Sequence, residues 1–317
     1  MLRFLKKKIE KYYNKKKNFV LGTLPKFNGV SLIDIGAAGD LEPRFKAIEK
    51  YLNYYGFEPD SRSRKKLLKN KNLCKNYTLF PHAISKNNKT INLNLCRKPQ
   101  VSSTYSPLSK FTDLFPDSGR FDVINKIKIS AKKLDSFKIR NPDFIKLDIQ
   151  GGELNALKGA DKILKKVFGL EIEVEFLRLY KNQPLFGEIS SHLCKYGFEF
   201  IDFVNLCRWD RYSQNSYGQL VFGDAFYLKT PENIILNLNE NKSRISSYLS
   251  ILFLYKRFDL VKKFFELAPK DLSENYDLFK KKIEKIEKYH NTVKNFARIS
   301  SKIIKIFDND SRIWHLN

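Results

Sequence analysis

The stretch Phe144-Ile145-Lys146-Leu147-Asp148-Ile149-Gln150-Gly151-Gly152-Glu153-Leu154-Asn155-Ala156-Leu157-Lys158-Gly159-Ala160 decides the fold. An apolar strand runs into Asp148, the backbone turns at two glycines, and an amphipathic helix opens with Glu153 in its first turn. In an open α/β sheet, ligands bind at the carboxyl ends of the strands. A carboxylate at that place, followed by glycines that admit a ligand close to the backbone, marks a reaction centre. The competing reading makes Asp148 the N-cap of the helix.

A second segment of the same build lies upstream: Val30-Ser31-Leu32-Ile33-Asp34-Ile35-Gly36-Ala37-Ala38-Gly39, then a helical pattern from Leu41 to Tyr51. Tyr54 to Asp60 reads as a further strand ending in acid, with Glu58 placed to accept the paired hydroxyls of a ribose. The glycines are spaced Gly36-x-x-Gly39, not as the three-glycine dinucleotide fingerprint. Asp34 would repel a phosphate but suits an ammonium or sulfonium group. S-adenosylmethionine carries both of those charges and a ribose, so it is the expected cofactor. Its expected contacts are Asp34, Gly36, Gly39, Glu58, Asp148 and, where a third core strand exits near Pro81, His82 and Ala83.

With these residues the chain resembles the FkbM-type methyltransferases. The resemblance rests on Asp34 to Gly39, Phe57 to Asp60, Ile145 to Glu153 with Leu157 to Ala160, and Leu170 to Glu175. It continues through Leu179-Tyr180, Gln183 to Phe186 and Leu193 to Phe198, ending near Gly218 to Phe226. Gln150 stands where many relatives have Glu, which leaves Asp148 and Glu153 as the carboxylates of that block. The resemblance implies an α/β, Rossmann-like class I methyltransferase fold: a seven-stranded, mostly parallel sheet with an antiparallel edge pair. It also implies O-methyl transfer to a hydroxyl of a sugar, glycan or other natural product. Methyl transfer to a hydroxyl needs a positioned base, and Asp148 is expected first in that role, with Glu153 and Glu173 next.

Three parts are expected: a basic segment over residues 1–28, the methyltransferase domain over 29–230, and a C-terminal helical appendage over 231–317. That last region suits packing, oligomerisation or partner binding. Residues 98–130, rich in Ser, Pro and Phe, read as a long loop covering the site: a substrate lid or a passive insertion. The strand Glu171-Ile172-Glu173-Val174-Glu175 is expected to bury one face and carry three carboxylates on the other, with little solvent face except near its carboxyl end.

The net charge of +25 raises nucleic acid as a partner. Most of the excess is diffuse and accompanies abundant Lys, Asn and Ile, a compositional bias of the chain. The dense block is residues 1–17, with eight Lys or Arg against one Glu. Interspersed apolar residues there fit either a basic amphipathic helix on an anionic membrane surface or a solvated terminus. There is no apolar run long enough to span a bilayer and no signal-like N-terminus. The expected location is therefore the cytoplasm, with peripheral contact at the inner membrane surface as its variant. Cys74, Cys96, Cys194 and Cys207 are scattered as reduced thiols would be, and no histidine pair has metal-ligand spacing. No metal is expected; the one grouping that would suit a hard divalent ion is Asp148, Glu153 and Glu173. Two other readings stand beside the O-methyltransferase: a silent module that holds a glycan or nucleic acid, and a nucleic-acid methyltransferase. Against the second, Asn141-Pro142-Asp143 precedes its strand, so no base-holding motif follows one.

Overall fold

The computed structural model describes residues 20–39, 41–68, 74–212 and 217–305. The basic block at residues 1–17 lies outside them, and so does the membrane contact expected of it.

The strands in chain order are β1 (Val30–Ile35), β2 (Leu52–Phe57), β3 (Asn76–Phe80), β4 (Ala83–Ile84), β5 (Lys89–Cys96), β6 (Val123–Lys132), β7 (Phe144–Leu147), β8 (Gly169–Glu175), β9 (Glu199–Trp209) and β10 (Gln219–Leu228). Seven of them form one sheet in the order β3-β2-β1-β7-β8-β10-β9. Pairing is parallel from β3 to β8, and β10 runs antiparallel between β8 and β9. This is the expected mostly parallel sheet with its antiparallel edge. The register sets Asp34 beside Lys146 across β1 and β7, so the first acid-glycine turn and the Asp148 turn leave the sheet side by side.

Each face of the sheet buries its own core. On one side Ile33, Ile145, Leu170 and Ile172 meet the helices Glu153–Lys158, Asp161–Lys166 and Phe186–Cys194 through Leu157, Leu164 and Leu193. On the other, Val30, Leu32, Phe144 and Phe226 pack against Tyr248, Leu249 and Leu252 of the helix Ile245–Leu254 and Phe264 of Phe258–Leu267. Val20, Leu21 and Leu24 join that same core. Residues beyond both expected boundaries, 28/29 and 230/231, therefore share a core with the sheet. Of the three roles left open for the C-terminal helices, packing is the one they display.

All seven residues of β8 are buried, in keeping with the little solvent face expected of it, and this includes Glu175 at its carboxyl end. Glu171 is neutralised by Arg44 at 2.6 Å and accepts a hydrogen bond from Tyr255. One expectation is corrected: residues 98–130 are not one irregular loop. Ile127, Ile129 and Ala131 alternate with polar residues along β6, which joins β4 and β5 in a separate three-stranded sheet.

Candidate active site

Two cavities meet at the carboxyl ends of β1 and β7. The first, about 300 Å³, is lined by Asp34, Gly36, Gly39, Glu58, His82, Ala83 and Asp148, which are all the residues expected to hold the cofactor. Its roof is the small sheet, through Ile91, Leu93 and Ile129, and the segment Pro99 to Thr104 closes one side.

The turn after β1 is shaped by hydrogen bonding and by glycine. Gly36 and Ala37 both donate backbone N–H to the carbonyl of Phe57, and Asp148 donates its own to Ile35. Gly36 has φ +87°, and a Cβ there would lie 1.8 Å from the carbonyl oxygen of Asp148, so no other residue fits. Asp34 is 6% exposed, and its Oδ2 accepts from Tyr54 Oη at 2.8 Å. Its Oδ1 is buried with no hydrogen-bond partner among the described residues. Burial raises the proton affinity of Asp34, while the neighbouring Lys146 opposes that shift. Glu58 accepts from the backbone N–H of Asp60 at 2.7 Å, and burial pushes its carboxyl up to about 7. His82 keeps an unpartnered Nδ1 in the same wall, and burial and Lys132 hold its ring toward the neutral form. An orphaned carboxylate oxygen, a second carboxyl and a free imidazole nitrogen fit a ligand that combines a cationic centre with hydroxyl donors.

The second cavity, about 760 Å³, opens on the other side of Asp148 and Gln150, which line both. Glu173, Trp209, Phe115 and Arg120 contribute to it. The Arg120 guanidinium sits 4.4 Å from the Trp209 ring centroid, and Phe115 meets that indole edge-on at 5.2 Å. Lys98 and Arg208 add charge of one sign and Asp117 and Asp210 of the other.

At the junction, Gln150 takes a left-handed backbone with φ +57°. Its amide donates to Asp148 Oδ1 at 3.0 Å and to Glu173 Oε1 at 2.7 Å, and its Oε1 accepts from Tyr180 Oη at 3.1 Å. Burial, then the nearby Asp148, Glu175 and Glu153, push Glu173 well above the usual carboxylate range. The segment after β5 is tied to this block: Ser103 Oγ donates to the carbonyl of Gln150 at 2.6 Å, and Asn155 donates to Tyr105 Oη at 2.8 Å. The stretch from Lys98 to Phe121 thus walls both cavities.

Two expectations about single residues change. The N-cap of the helix Glu153–Lys158 is Gly152, so Asp148 does not cap it. Glu153 is 1% exposed, lines neither cavity, and accepts the backbone N–H of Ile149 at 2.8 Å. Its carboxylate holds the turn and does not reach the reaction centre. Among the described residues no three His, Cys, Asp or Glu side chains are grouped as metal ligands. Trp209 and Arg120 were not singled out by the sequence, and Gln150 and Tyr180 entered it only through the resemblance.

The model of the methyltransferase FkbM domain matches residues 34–200, just over half of the chain, and spans both turns and β8. The chain belongs to the FkbM methyltransferase family. S-adenosylmethionine is accordingly its cofactor. Among solved structures, this FkbM methyltransferase is similar to the methyltransferase FkbM from Methylobacillus flagellatus KT, at 17% identity and a TM-score of 0.40. The match covers 63% of this chain but 44% of that one, so the chain spans less than half of its length. It is also similar to magnesium protoporphyrin IX methyltransferase from Synechocystis PCC 6803 with bound SAM, at 10% identity and a TM-score of 0.34, covering 70% of this chain and 79% of that one. The precorrin-6y C5,15-methyltransferase from Geobacter metallireducens GS-15 follows at 13% identity and a TM-score of 0.34, covering 68% and 88%. No curated protein matches the sequence. Among the described residues no helix is long and apolar enough to cross a membrane.

Proposed function

We propose that this FkbM methyltransferase methylates a hydroxyl oxygen of a sugar, glycan or similar polyhydroxylated natural product. The observation that carries the reading is that Asp148 lines both cavities. A group at their junction can address the cofactor on one side and the acceptor on the other. The cofactor, when bound, supplies an electrophilic methyl group. Asp34, Glu58 and His82 would hold it, the first through its unpartnered oxygen near the charged centre and the second at the ribose hydroxyls.

An attacking hydroxyl must lose its proton, and Asp148 is the carboxylate placed to orient that hydroxyl and take the proton. Gln150 fixes Asp148 by donation to Oδ1, which leaves Oδ2 for the acceptor. Glu173, pushed toward its neutral form, shares the same amide and lines the acceptor cavity as a polar contact. The second cavity combines a tryptophan, three phenylalanines and charges of both signs. That mixture suits a ligand with apolar ring faces and a polar rim of hydroxyls. The test is methyl transfer from labelled S-adenosylmethionine to glycan fractions, RNA and DNA in parallel. Label on a glycan hydroxyl is the expected result. Label only in RNA or DNA would contradict the acceptor class, and cofactor binding with no transfer to any fraction would favour the silent module.

A further inference from the structure

A third cavity, about 430 Å³, lies at the opposite end of the sheet, against the amino ends of β1, β2 and β3. A strand of six residues separates it from the methyl-transfer cavities, about 20 Å. Lys26, Lys75, Arg140 and Arg244 line it, and Asp143 is the one acid in its wall. That acid is already spent. It is 3% exposed, pairs with Arg244 at 2.6 Å, and accepts the backbone N–H of Ser31 at 2.8 Å. The charge of Arg244 is thereby cancelled, and three cations from three separate segments remain without an acidic partner among the described residues. Lys75 makes one hydrogen bond, to the carbonyl of Asn28 at 2.9 Å, and keeps two donors.

Asn76 donates one amide proton to Asn53 Oδ1 at 2.6 Å, which leaves the side-chain amide of Asn53 as a further donor in the wall. Lys26 and Asn141, both in left-handed backbone conformations, turn the chain at the rim. Strained backbone of this kind persists where the surroundings over-determine it and gathers at binding sites. A concave chamber of this volume is the size of a small-molecule site.

We propose that this cavity binds a phosphate-bearing small molecule, with Lys26, Lys75 and Arg140 contacting the anion. The site is independent of the methyl-transfer reading, and its test needs no turnover. Inorganic pyrophosphate is titrated calorimetrically into the full chain, at fixed ionic strength because exposed cations are screened. Three proteins are compared: wild type, the triple variant Lys26→Glu/Lys75→Glu/Arg140→Glu, and a control triple, Lys66→Glu/Lys128→Glu/Lys195→Glu, which changes net charge equally at exposed positions elsewhere. Saturable one-site binding by wild type, weakened at least about tenfold by the pocket triple and unchanged in the control, is expected. Melting temperatures confirm that both triples fold, and the single change Arg140→Glu serves if the pocket triple does not. Absence of saturable binding, or equal losses in both triples, would overturn the proposal. Phosphatidylglycerol vesicles and RNA form further arms. If either binds through these three residues while pyrophosphate does not, the pocket reading fails in favour of a surface.

Discussion

Gln150 donates its side-chain amide to Asp148 Oδ1 at 3.0 Å, and the same nitrogen reaches Glu173 Oε1 at 2.7 Å. One neutral donor thus separates two carboxylates that would otherwise repel. Replacing it by Gln150→Glu puts a third acid between them. Like charges raise the proton affinity of each carboxyl, so the rising limb of the pH–rate profile should move to higher pH. Turnover near neutrality should fall by about tenfold or more. Single-turnover rates from pH 6 to 9 check this; an unmoved profile would show that Gln150 does not control Asp148.

Burial also sets the pH dependence of stability. Glu58 and Glu153 are pushed up to about 7 and Asp224 to about 6, from ordinary values of 4.5 and 3.8. A carboxyl with a folded pKa above its unfolded one stabilises most when protonated. That contribution is complete below the unfolded values and is lost as the pH rises through 6 to 7. The cofactor-free protein should therefore melt lower at pH 8 than at pH 5, in salt sufficient to screen its net charge. Glu58→Gln should flatten part of the decline. A melting temperature that rises over this range would contradict the assignment.

Gly36 and Gly39 separate folding from binding. A Cβ at Gly36 would fall on the Asp148 carbonyl oxygen, whereas at Gly39 nothing lies within 4 Å. Gly36→Ala should cost at least about 3 kcal/mol of stability. Gly39→Ala should leave the melting temperature unchanged and weaken S-adenosylmethionine binding, because Gly39 lines that cavity. Calorimetry and thermal melting on both variants decide it; equal melting temperatures would show that the turn after β1 is not so tightly built.

Trp209 walls only the second cavity. Trp209→Ala should raise the KM for the acceptor by about tenfold while leaving cofactor affinity as it was. A change in cofactor affinity alone would mean that the two cavities are wrongly assigned.

What was legible in the sequence was local. Asp34, Glu58 and Asp148 each end an apolar strand beside a turn, and a parallel sheet brings such ends to one edge, so their convergence follows from the pattern. Gln150 was visible only as a departure from the resemblance. Its role depends on Glu173 and Tyr180, which are 23 and 30 residues away. Trp209 and Arg120 meet across nearly ninety positions, and no spacing rule couples them. Glu153 and Glu173 look alike as acids in the sequence, yet one is turned into the turn's own backbone and the other into a cavity. In residues 98–130 the Ser and Pro content masked the period-two pattern of Ile127, Ile129 and Ala131, which was there to be read.

The central claim is that Asp148 serves the chemistry. It caps no helix, so a structural role of that kind does not compete. Asp148→Asn keeps the shape of the side chain and removes its ability to take a proton. Single-turnover methyl transfer to the acceptor found in the screen should fall by roughly 10²–10⁴-fold, with cofactor affinity and melting temperature nearly unchanged. Wild-type turnover in the Asn variant would contradict the account.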